Sequence, residues 1–115
     1  MTAIIEYHIN TSMFDGAFYP HIKHTPYLVS CNNDIISRHR AAQSIARHLW
    51  SEIDSHLTYD NQANVIYAMS DIVRYYDNQH PAKQALVMIV NAYNDAHNFQ
   101  PNSERYISID DLKIQ

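Results

Sequence analysis

Apolar positions in this chain repeat with two different periods, and the change between them divides it into two parts. Ile5, Tyr7 and Ile9 alternate with Glu6, His8 and Asn10, the two-residue period of a half-buried strand. Asp15-Gly16, between Met13-Phe14 and Ala17-Phe18, predicts a hairpin, because a tight turn needs positive φ and Gly16 is the chain's only glycine. Pro20 limits how far the return strand can pair, and Pro26 precedes a third candidate strand, Tyr27 to Cys31.

From Asp34 to Asn98 the period lengthens to that of a helix. Ala42, Ile45, Ala46, Leu49, Trp50, Ile53 and Leu57 share one face of a first helix, with Asp34 or Ser37 as its cap. Thr58 or Asp60 suits the start of a second helix, whose apolar face is Val65, Ile66, Met69, Ile72, Val73 and Tyr76. Pro81 fits the first position of a third. Its stripe of Ala85, Leu86, Ile89, Tyr93 and Ala96 is widened by Val87, Met88 and Val90, which predicts the most buried helix of the three. After Pro101, Tyr106 to Ile109 alternates again and predicts a short return strand. This order predicts a single α+β domain over 1–115. Its small antiparallel sheet, of the N-terminal strands plus the C-terminal one, would pack against three consecutive amphipathic helices.

Composition directs attention to recognition rather than to chemistry. The chain has 3 Lys and 3 Glu against 9 Tyr, 8 His and 10 Asn. Protein-binding patches are rich in Tyr and poor in Lys and Glu, because an aromatic hydroxyl gives contact area at little entropic cost. A hydrophobic content of 46% is enough for a core, and a net charge of −4 opposes bulk attraction to phosphate backbones. Cys31 is the only cysteine, so no intrachain disulfide forms and a reducing compartment is expected. The N-terminus has no basic leader, and the longest apolar run, Ala85 to Val90, is far too short to span a bilayer. These features predict a cytoplasmic protein that engages no membrane.

Two binding surfaces suggest themselves. Arg38, His39, Arg40 and Arg47 form a basic start to the first helix, with no acid between Asp34 and Glu52. Arg40, Ser44, Arg47 and Ser51 fall opposite the apolar stripe and are expected in solvent. Cations there oppose the helix dipole, which a phosphate or an acidic patch on a partner would offset; the plainer reading is a solvated face paired with surplus acids. The second surface is the outer face of the second helix, with Asn64, Tyr67, Asp71, Arg74, Tyr75 and Asn78. Tyrosine and arginine there make an epitope, unless that face packs on the sheet or on the N-terminal segment.

His8, His21, His24 and Cys31 are ligand types that suit zinc, and a hairpin centred on Asp15-Gly16 would set His8 opposite Lys23 and His21 near Asn10. Their spacings match no metal motif, so no metal is expected. A single glycine excludes Gly-rich phosphate loops, and neither a Gly-x-Ser-x-Gly elbow nor His-Glu-x-x-His is present. Asp110-Asp111 could bind a cation, but adjacent acids at a strand end are more often solvated. In a helix-turn-helix reading the third helix would enter a DNA groove, but Lys83 is its only base. The strand followed by a basic, Ala-rich helix, Ser37 to Trp50, is loosely similar to the end of a double-stranded-RNA-binding domain. It lacks that family's lysines at the helix start and the helix preceding its strands, and is not read as membership.

The sequence therefore predicts a non-enzymatic protein, without cofactor, that binds another protein or protein complex and blocks or regulates it, in the manner of immunity proteins, antitoxins or phage anti-defence proteins. A nucleic-acid-binding module using Arg38, Arg40 and Arg47 is the alternative.

Overall fold

The computed structural model describes residues 4–9 and 27–114; the Asp15-Gly16 hairpin, His21 and His24 lie outside the described residues. The elements are β1 (Ile4–Ile9), β2 (Tyr27–Asn32), α1 (Ile35–His56), α2 (Tyr59–Val73), α3 (Pro81–Ala96) and α4 (Ile109–Leu112). β1 and β2 pair antiparallel as a two-stranded ribbon, with Ile4 opposite Asn32 and Ile9 opposite Tyr27. His8 therefore faces Leu28 across the ribbon rather than Lys23.

The α+β architecture expected from the sequence is not the one adopted. Among the described residues the protein is mostly helical, its only sheet is the two-stranded ribbon, whose β2 lies against α1, and α1 and α2 pack on α3. α3 is the axis of the bundle. It carries Ala82, Ala85, Leu86, Ile89, Val90 and Tyr93 into the core, and both α1 and α2 pack against it. α1 contributes Ala42, Ile45, Leu49 and Ile53, and α2 contributes Val65, Ile66, Met69 and Val73. With apolar stripes on three neighbouring helices facing one another, no sheet is needed to cover them. Ala96, assigned above to the α3 stripe, is exposed at the helix end.

Side-chain bonds fix the helix directions. His39 Nδ1 lies 3.4 Å from Gln84 Oε1, which sets the first turn of α1 beside the first turn of α3. His97 Nε2 lies 2.7 Å from Gln62 Oε1, which sets the end of α3 beside the start of α2. The order is up, down, up. Gln62 is buried and also donates from Nε2 to the Leu57 carbonyl, so one amide ties together the α1–α2 turn and the far end of α3.

The helix ends are built with few glycines. Asp34 caps α1, accepting from the Ser37 backbone N–H at 2.8 Å and the Ser37 hydroxyl at 2.9 Å, and these bonds hold its carboxyl below the usual range. At the end of α3, Asn98 takes the left-handed conformation (φ 55°) that glycine usually supplies. The Phe99 N–H then reaches the Asn94 carbonyl and the Asn98 N–H reaches that of Asp95. This is a Schellman closure, and the Phe99 ring completes it 5.5 Å from that of Tyr93.

The predicted return strand at Tyr106 to Ile109 does not form, for a specific reason. Residues 106–108 are irregular and lead into α4. Asn94, buried on α3, donates from Nδ2 to the Ile107 carbonyl at 2.9 Å and accepts from the Ile107 N–H at 3.1 Å. One side-chain amide thus supplies the pair of bonds that a neighbouring strand would have supplied. Beside it the Tyr93 hydroxyl donates to the Arg105 carbonyl at 3.1 Å. The tail so held buries Ile107, Leu112 and Ile114.

Replacing Asn94 by Ala strands two buried backbone groups, and should lower stability by about 2–6 kcal/mol, on the order of 1–3 per unpaired group. Urea denaturation checks this; a midpoint unchanged from the parent would mean the tail is not held by that amide.

Candidate functional site

α1 separates the basic residues that its sequence groups together. Arg40, Ser44, Arg47 and Ser51 are all exposed on its outer face, as their spacing requires. Arg38 is not with them. It is half-buried, and its guanidinium donates to Asn33 Oδ1 at 2.7 Å, across the turn between β2 and α1. His39 is exposed on a third side, against Gln84. The basic start of α1 is therefore a pair of outward arginines and one structural arginine.

The second surface is also divided. Asn64, Tyr67 and Asp71 are exposed on α2, with Tyr67 45% exposed. α2 ends at Val73, so Arg74 and Tyr75 follow the helix instead of extending its face. Arg74 folds back. Its Nε donates to the Ser70 carbonyl at 3.2 Å, one terminal nitrogen to the Leu112 carbonyl at 3.3 Å, and the same nitrogen pairs with Asp71 at 3.0 Å. A cation at a helix C-terminus is favourably placed, and this one also secures α4. Tyr75, in contrast, is 83% exposed.

Two features of this region escape the sequence reading. Asp60, at the start of α2, pairs with Arg105 of the tail at 2.8 Å, extending the polar band around Tyr67. At the start of α1, Ile35 and Ile36 are 75% and 66% exposed. Their position directly after the Asp34 cap, where a first turn usually carries acids, was the available signal. The His39–Gln84 contact puts them at the same end of the bundle as the start of α3. An open cleft of ≈ 210 Å³ lies at the start of α3, lined by Asn78, Lys83, Gln84, Val87 and Ile114. Its cation, Lys83, is bonded to Asn78 at 3.0 Å.

The histidine and cysteine positions offer no assembled metal centre among the described residues. In the ribbon Cys31 is opposite Ile5 and His8 is opposite Leu28, so the two lie about 10 Å apart along the strands. Burial pushes the Cys31 thiol above its ordinary value, partly offset by Arg38, the opposite of an activated nucleophile. The helix-turn-helix reading also fails. α3 buries eight of its residues, and its exposed positions, Gln84, Asn91, Asp95 and Ala96, carry no base to meet a groove.

One titratable group has a defined structural task. His80 caps α3, its Nδ1 accepting from the Ala82 N–H at 3.0 Å, while its ring lies 4.4 Å from that of Tyr76. Desolvation lowers its pKa, and Lys83 adds to the lowering against the opposing pull of Asp77. A protonated ring cannot accept at Nδ1.

Two outcomes follow for stability. Arg74→Ala should lose about 1–2 kcal/mol, because carbonyls of α2 and α4 lose a charged donor, whereas Arg47→Ala should stay within about 0.5 kcal/mol as an exposed substitution. Equal losses in urea denaturation would contradict the division of roles. For His80, the unfolded chain takes up its proton near pH 6.5 and the folded protein only at lower pH. Its contribution is thus complete above that value and is lost as pH falls toward the folded pKa. The fall in melting temperature from about pH 7.5 to about pH 5.5 should be smaller in His80→Asn, which keeps a neutral cap. An identical fall in both proteins would remove His80 from this role.

No protein-family model matches the chain, and neither a curated protein nor a solved structure matches it.

Proposed function

We propose that this protein acts by binding another protein and thereby blocking or regulating it, with no chemistry of its own. The observation that carries the reading is the state of Tyr67 and Tyr75. The core does not use either ring, and they stand 45% and 83% exposed beside a packed helical scaffold. Rigid aromatic side chains of this kind, flanked by Asn64 and Asp71, supply contact area with little entropy to lose. The scarcity of Lys and Glu over the whole chain agrees with such a surface.

The contact set this reading uses is Asn64, Tyr67, Asp71 and Tyr75, with Arg40 and Arg47 on α1. Arg38 and Arg74 belong to the scaffold instead, since both are spent on bonds within the chain. A role like that of immunity proteins, antitoxins or phage anti-defence proteins, small chains that act by occupying a partner's surface, is the form of inhibition proposed, by analogy of size and surface alone. A cytoplasmic site of action is proposed from the lone Cys31. No helix among the described residues is long and apolar enough to cross a membrane.

The nucleic-acid alternative retains two outward arginines, and proteins that hold a duplex commonly make roughly six to ten phosphate contacts. A photo-crosslinking residue at position 75, introduced in the source cell, should capture the partner. Tyr67→Ala and Tyr75→Ala should then each weaken binding to it by about 1–3 kcal/mol with the melting temperature unchanged. Full affinity in both variants, together with salt-sensitive retention of the parent on mixed nucleic acid, would replace this reading with the alternative.

A further inference from the structure

We propose that the outer face of α1, from Ile36 through Arg40 to Arg47, docks an acidic segment of the partner protein. This rests on the protein-binding reading above and adds the chemistry of what is bound.

Helical geometry puts these residues in one row. At about 100° per residue, Arg47 returns to within about 20° of Arg40, and Ile36 lies within about 40° of it. The rise sets Ile36 about 6 Å below Arg40, and Arg47 about 10 Å above it. All three are exposed, Ile36 to 66%. No acid among the described residues lies within ion-pair distance of Arg40 or Arg47. Arg38, by contrast, is turned to Asn33. The row therefore offers an apolar side chain followed by two cations that make no ion pair among the described residues.

Guanidinium groups bind carboxylates and phosphates bidentately, so the ligand carries one or the other. Three considerations select carboxylates on a protein. A phosphate backbone leaves Ile36 in water, whereas a protein segment can bury it. Two arginines neutralise two phosphates, which is weak for a duplex, and the net charge of −4 works against it. For a protein segment the same two contacts suffice: two carboxylates about 10 Å apart, seven residues apart on one face of a helix, with an apolar residue beyond one end.

A second copy of this chain is the occupant the test must separate from a partner: around Tyr67 its acids Asp60 and Asp71 are paired with Arg105 at 2.8 Å and Arg74 at 3.0 Å, whereas Asp110 and Asp111 stand exposed.

The test is a charge exchange. Anisotropy is measured with two labelled helical peptides, one bearing a Leu and two Glu seven residues apart, the other with Lys in place of both Glu. Each is titrated with the parent protein and with the Arg40→Glu, Arg47→Glu double variant. The parent should prefer the acidic peptide by about tenfold, and the variant should reverse the preference at an unchanged melting temperature. Should the double variant not fold, Arg47→Gln should still reduce the parent's preference severalfold. An absent preference in the parent, or a preference kept in the variants, overturns the proposal. So does displacement of the acidic peptide by a mixed-sequence DNA duplex, or a parent dimer that the variant dissolves. Against the partner captured from position 75, full affinity of the double variant with loss in Tyr75→Ala would overturn this inference alone. Failure of every position to capture a protein would overturn the protein-binding reading with it.

Discussion

The paired bonds between the Asn94 side chain and the Ile107 backbone decide the architecture of this protein. A short alternating segment needs its backbone donors and acceptors satisfied, and a neighbouring strand is the usual source. Here the source is one amide on the central helix, at 2.9 and 3.1 Å. The tail is thereby fixed against α3 without a sheet, Ile107 and Leu112 enter the core, and α4 comes to rest on α2. Tyr93 and Arg74 repeat the device at the Arg105 and Leu112 carbonyls, so three side chains of the α2–α3 region hold the tail by its backbone.

That arrangement explains which side chains are left to meet a partner. Among the described residues no buried side-chain nitrogen or oxygen lacks a hydrogen-bond partner. Of the buried polar residues, Ser70 donates within α2 to the Tyr67 carbonyl, while Gln62 and Asn94 serve joints between elements. Arg74 and Arg38 join them in that task. Among the groups left projecting into solvent are Tyr67, Tyr75, Ile35, Ile36, Arg40 and Arg47. Their types, aromatic, aliphatic and guanidinium, are those that dominate the energetics of protein contacts.

The helical half was legible because its period is strong and its punctuation is explicit. Asp34 caps α1, Pro81 opens α3, and the stripes through Ile45, Leu49, Ile66, Met69, Leu86 and Ile89 are buried. The tail was misread because alternation at Tyr106 to Ile109 reports which residues turn inward, and says nothing about what bonds the backbone between them. An asparagine in the last turn of a helix is ordinarily exposed, so Asn94 gave no warning. The arginines on α1 were placed correctly where the wheel decides, at Arg40 and Arg47. At Arg38 and Arg74 a long side chain found a polar group beyond its own helix face, which no periodicity encodes.

Native-state hydrogen exchange at the Ile107 amide tests the central claim most directly, because that N–H belongs to no helix and no ladder. If Asn94 Oδ1 holds it, the amide should exchange only through opening of the tail from the bundle, with protection approaching that of the α3 interior amides. Exchange of Ile107 at the rate of an open chain, while α3 stays protected, would contradict the account.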